Sequence, residues 1–166
     1  MTYKLIASTT LSSAAATVTF SGIPSTYTDL VLRLSIRGSG GFSVATTFNG
    51  DTASNYSYRT LYGFSTTAGS LGSANSTSLI IQDANYPGTT ADTFTSAEYY
   101  FANYASTANK ASSLFSVKEN NATSNNWMEA TAGLYRSSSA ISSITLTGVS
   151  SNNFVSGSTF DLYGIE

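Results

Sequence analysis

The chain has 166 residues, enough for one domain with a sizeable core that needs no staples. Charged residues make up only 10% of it and the net charge is −2; the seven basic residues (Lys4, Arg33, Arg37, Arg59, Lys110, Lys118, Arg136) are too scattered for the stripe that phosphate backbones require, so nucleic acid is set aside as a partner. With no histidine and no cysteine, the chain has no imidazole to move a proton in a serine or cysteine triad, no disulfide, and no nitrogen or sulfur ligand set for zinc.

Serine (30) and threonine (24) supply most of the polarity. A hydroxyl surface repels its own copies weakly, which favours assembly into oligomers or arrays. The start, MTYKLIASTTLSS, is too weakly apolar for a secretion signal, and nowhere do 18 apolar residues follow one another. The chain is therefore expected to be made in the cytoplasm and to be soluble, with no membrane partner. The glycosylation-type triplets at Asn55, Asn75 and Asn121 are what so many hydroxyl residues produce by chance.

Alternating or β-rich runs recur along the whole chain. Eleven strands are expected, at 3–8, 14–20, 29–37, 42–48, 55–64, 77–83, 93–103, 112–119, 127–136, 140–147 and 154–165. In the third, Leu30, Leu32, Leu34 and Ile36 occupy every second place, so one face of an extended chain is apolar and the other mixed. Pro24 fixes φ and stops the ladder before it, and Thr26 and Tyr27 turn the corner. Arg37–Ser43, RGSGGFS, has clustered glycines but lacks the GK[ST] ending and helix start of a phosphate loop, and reads as a hairpin connection. Asn49-Gly50 has the chemistry of a type I′ hairpin turn. The surrounding FNGDTASN only half resembles a calcium loop, so the turn reading is preferred.

Ser65–Ser78 and Glu119–Asn126 are low in apolar residues and are expected to be surface loops. The best helical stretch, Glu98–Ser113, contains closely spaced aromatics and Thr107 against its alanines. In the last strand, Phe160, Leu162 and Gly164 share one side, as in a strand that closes a sheet beside the first ones. Many short strands without interleaved helices predict an all-β fold, a two-sheet antiparallel sandwich of jelly-roll type, as one domain over residues 1–166.

Two sets of side chains could carry a function. Of the acidic residues (Asp29, Asp51, Asp83, Asp92, Glu98, Glu119, Glu129, Asp161), most fall at turns; Glu98 and Glu129, on strands beside aromatics, are the pair a glycosidase would use. The aromatic clusters place Tyr56, Tyr58, Tyr62, Tyr99, Tyr100, Tyr104 and the single tryptophan, Trp127, in core packing, at a subunit interface or on a glycan platform. No cofactor or metal site is expected.

The segments YKLIASTTLSSAAATVTFSGIPSTYTDLVLRLSIRG (Tyr3–Gly38), FNGDTASNYSYRTLYG (Phe48–Gly63) and GSTFDLYGI (Gly157–Ile165) resemble short virion proteins of tailed bacteriophages. The resemblance is to the frame of the chain, and residues 65–145 carry little of it. It implies a non-enzymatic β-sandwich on the particle surface, either a capsid decoration (cement) protein or a small tail or fibre module. As a decoration protein it would contact the major capsid protein and copies of itself, as a homotrimer. As a tail or head-fibre module it would bind a receptor or glycan through Trp127 and the tyrosines.

Overall fold

A computed structural model describes residues 2–166, and twelve strands lie among them. They are β1 (Tyr3–Thr10), β2 (Thr17–Ser21), β3 (Asp29–Ile36), β4 (Phe42–Phe48), β5 (Tyr56–Phe64), β6 (Thr67–Ser76), β7 (Leu79–Ala84), β8 (Thr95–Phe101), β9 (Lys110–Lys118), β10 (Trp127–Tyr135), β11 (Ser143–Gly148) and β12 (Thr159–Ile165). An eight-stranded sheet, ordered β1-β12-β3-β8-β9-β10-β5-β6, faces a four-stranded one, ordered β2-β11-β4-β7. Every pair of neighbouring strands is antiparallel. The chain winds back and forth between the sheets, β2 in the small one, β3 in the large, β4 small, β5 and β6 large, β7 small, β8 to β10 large, β11 small and β12 large. This is the winding of a jelly roll, widened by the β8-β9-β10 meander.

Alternation explains the core. Leu30, Leu32, Leu34 and Ile36 of β3 point inward with Phe160 and Leu162 of β12, and meet Val18, Phe20, Val44, Ile144 and Leu146 of the small sheet. Gly164 is buried on the same side of β12, where a Cβ would sit 2.3 Å from the Tyr27 ring. β12 lies between β1 and β3, so the C-terminal strand closes the sheet beside the first ones, as its pattern predicts.

Three local expectations are corrected. Asn49 and Gly50 do take positive φ (55° and 69°), and the Asp51 amide donates to the Phe48 carbonyl at 2.9 Å. The turn nevertheless joins no hairpin, since it carries the chain from β4 in one sheet to β5 in the other. Arg37–Ser43 is likewise a passage between sheets, from β3 to β4. Its first residue is buried and clamps the segment after β7, with the Arg37 guanidinium donating to the carbonyls of Tyr86, Thr90 and Thr93. Finally, most of Ser65–Ser78 forms β6, an edge strand paired to β5 through the two-residue turn Ser65-Thr66. The expected loop at Glu119–Asn126 is present, and Glu98–Ser113 holds strand and turn with no helix.

Candidate functional site

The aromatic candidates separate by burial. Tyr56, Tyr99 and Tyr104 are interior, exposed by 0%, 1% and 0%. Tyr56 stacks on Tyr135 at 4.9 Å and accepts the Phe48 amide, Tyr99 stacks on Phe101, and the Tyr104 hydroxyl donates to the Pro24 carbonyl. Burial pushes the Tyr56 and Tyr99 hydroxyls well above the usual phenol range. Tyr58 is half-buried against the core. Tyr100 lies on the outer face of the large sheet, donating to Asp29 at 2.5 Å; that hydrogen bond and burial raise its hydroxyl. Only Tyr62 and Trp127 come together, and they stack on one another at 4.5 Å and 11° with Phe64 tilted beside Trp127. The far side of Tyr62 covers Gly69, where a Cβ would sit 2.6 Å from its hydroxyl. Their ring faces are thus largely used within the chain.

The two glutamates do not form a pair. Glu98 is exposed on the outer face, bonded to Arg33 at 2.8 Å, while Glu129 is 1% exposed on the inner face. Register fixes this, because Glu98 is opposite Phe115 whereas Glu129 is opposite Ser116. The sheet itself lies between the carboxyls, so they cannot flank one glycosidic bond. Asp51, in the stretch that half resembles a calcium loop, spends its oxygens on the Ala53 amide (2.9 Å) and the Asn55 side chain (2.8 Å). Those bonds hold its carboxyl below the usual carboxylate range. Among the described residues, no three acidic side chains gather as metal ligands would.

What the fold does assemble is the outer face of the large sheet. Register aligns Ser70, Leu61, Ala130, Phe115, Glu98, Arg33, Asp161 and Ser8 in one row across all eight strands. A second row runs Ala68, Gly63, Met128, Val117, Ser96, Ser35, Thr159 and Thr10. The half built on β5, β10 and β9 is apolar and leaves Leu61 63%, Phe115 52% and Met128 51% exposed. The other half is polar: Arg33 sits 5.3 Å from the Tyr3 ring centre and 5.7 Å from that of Tyr163 while holding Glu98. Three hollows open on this face, and the most apolar of them, about 270 Å³, is lined by Gly63, Val117, Met128 and the margin of the 119–126 loop.

Leu61, Phe115 and Met128 were not among the sequence candidates. Their signal is the breakdown of strict alternation, as in Leu114-Phe115 and Trp127-Met128, where adjacent apolar residues must point to opposite faces. A second group, which sequence reasoning did not assemble, lies between the sheets: the acidic candidates Asp83 of β7 and Glu129 of β10, and Lys118 of β9. Lys118 donates to Asp83 at 2.5 Å and to Asn125 at 3.3 Å. Glu129 accepts the Gln82 amide at 3.1 Å and the Trp127 indole at 3.1 Å, capping the free edge of β7. Burial pushes the Glu129 carboxyl up to about 7 and raises Asp83 as well, against the pull of Lys118.

No family model matches the chain, and no curated protein matches it in sequence. No helix among the described residues is long and apolar enough to cross a membrane.

Proposed function

We propose that this chain is a structural protein of a bacteriophage particle, a decoration protein that docks on the outer shell and on copies of itself and strengthens the shell by bridging its neighbours. The observation that supports it most is the outer face of the eight-stranded sheet, which exposes Leu61, Phe115 and Met128 together beside alanine, glycine and serine. Isolated surface leucines need no partner, but a contiguous apolar patch marks a contact surface. At about 4.8 Å between strands and about 3.4 Å per residue, eight strands of seven residues present roughly 900 Å². A stable interface needs about 800 Å² from each partner. The low charge of the chain fits such contacts, since little has to be desolvated when they form. Each contact can be weak, because an oligomer that engages several sites gains through effective concentration. The resemblance of residues 3–38, 48–63 and 157–165 to virion proteins points the same way.

Glycan binding through Tyr62 and Trp127 has less support, because those rings stack on each other and Tyr56, Tyr99 and Tyr104 are interior. The test is to add purified protein to particles that lack it, then measure survival of heat and osmotic shock together with bound copies per particle. Saturable binding with a raised disruption temperature is expected. Particles that neither bind the protein nor gain resistance would overturn the reading.

A further inference from the structure

Lys118 ends the inward-facing series Leu114, Ser116, Lys118 of β9, and its side chain is 0% exposed. A buried ammonium is costly unless paired, and the partner provided is one carboxyl, Asp83, which belongs to the opposite sheet and is 22% exposed. Nζ and Oδ2 lie 2.5 Å apart. The surroundings are partly aromatic: the Tyr86 ring centre is 5.4 Å from Nζ, and Asn125 of the 119–126 loop accepts from Nζ and donates to the Tyr86 hydroxyl at 3.0 Å. One position further along the inner face of β10 is Glu129. Its carboxyl holds the amide of Gln82, the residue before Asp83, and the indole of Trp127, the register partner of Lys118. An amine and an acid thus meet between the sheets, with a second carboxyl at the next inward place of β10.

We infer that Lys118 and Asp83 condense without a cofactor into an intramolecular amide, an isopeptide bond that ties β9 of the large sheet to β7 of the small one. Moving one proton along the Nζ–Oδ2 contact converts the ion pair to an amine and a carboxylic acid, and burial, which raises the Asp83 carboxyl, favours the acid form. The amine lone pair then forms the C–N bond to Cγ of Asp83. The C–O bond breaks with its electron pair on the hydroxyl, which takes the proton shed by nitrogen and leaves as water. One amine and one acid give one amide and one water, and nothing is oxidised or reduced. The bond forms within one chain and is independent of what the protein assembles with.

Intact mass of the denatured full-length chain tests it. The expected result is a deficit of one water, about 18 Da, against the mass calculated from the sequence. Trypsin should leave Lys118 uncut and release residues 60–110 joined to residues 111–136. Lys118→Arg keeps a buried cation without a primary amine, and it should show its full calculated mass with unchanged β-sheet circular dichroism. Asp83→Asn should lose ammonia, about 17 Da, in place of water. A wild-type chain at full calculated mass after prolonged incubation in the folded state would overturn the bond, and so would a deficit that persists in Lys118→Arg.

Discussion

Glu129 illustrates how one side chain can be read correctly as unusual and wrongly as to role. Its position on a strand beside aromatics is legible in the sequence; its direction is not, because inward and outward places on β10 are assigned by pairing with β9 and β5. The same holds for the tyrosines, since nothing local distinguishes Tyr99, which points inward, from Tyr100, which lies on the outer face. Burial gives Glu129 a measurable signature. Its carboxyl binds a proton up to about pH 7 in the folded chain, against an ordinary value of 4.5. Between those values the folded state holds the extra proton, so stability falls as pH rises through the window and levels off above it. The full span corresponds to about 3 kcal/mol. Urea unfolding of the wild type from pH 4.5 to 8 should show this decline, and Glu129→Gln should flatten it. Equal slopes in both proteins would place the titrating group elsewhere. Burial is the largest cause of the shift and the Asp83 charge adds to it, so a decline is expected with or without the cross-link, and a shallower one once Asp83 is an amide.

At the level of elements, strands with an apolar face are legible and the one without is not. β3, β11 and β12 declare themselves by alternation, whereas β6, TAGSLGSANS, offers almost no apolar residue and reads as loop. It is a strand because β5 supplies a ladder and its small residues let the Tyr62 ring lie flat on it. Turn chemistry was equally readable at Asn49-Gly50, yet the destination of the next strand is a long-range matter that no turn encodes. Gly69 is the residue on which the β5–β6 contact turns. A Cβ there meets the Tyr62 hydroxyl at 2.6 Å and its ring carbon at 2.7 Å, so Gly69→Val must displace the ring and open the stack on Trp127. A loss of about 1–3 kcal/mol is expected, in the range of other overpacked sites. Trp127 is the only tryptophan, so its fluorescence reports the opened stack directly, as a red shift in the native state. Gly41 has nothing within 4 Å of an added Cβ, and Gly41→Ala should stay within about 0.5 kcal/mol of wild type. A Gly69→Val protein with native emission and native stability would mean that Tyr62 does not rest on β6.

The molecule as a whole has two sheets of unequal width, and the inequality bears on function. The large sheet packs its inner face on the small sheet and turns outward a face eight strands wide, half of it apolar. If that side is the docking surface, its residues should matter for assembly and hardly at all for folding, the opposite of residues one position away on the same strands. Leu61 and Phe115 stand two strands apart in one cross-strand row, with Ala130 between them. Changing both to glutamate places two carboxylates where a partner would desolvate them, which costs several kcal/mol per buried unpaired charge at an interface. In the free chain both positions are more than half open to water, so the double change should cost only about 1 kcal/mol, part of it from the new carboxylate at 115 standing opposite Glu98. Leu32, fully buried on the inner face of β3, gives the contrast: Leu32→Ala should cost about 2–5 kcal/mol. Sedimentation velocity should show the wild type self-associating and the double glutamate variant shifted to monomer, with binding to particles lost in parallel. A double variant that still associates and still binds would place the contact surface on another face, whatever its effect on folding.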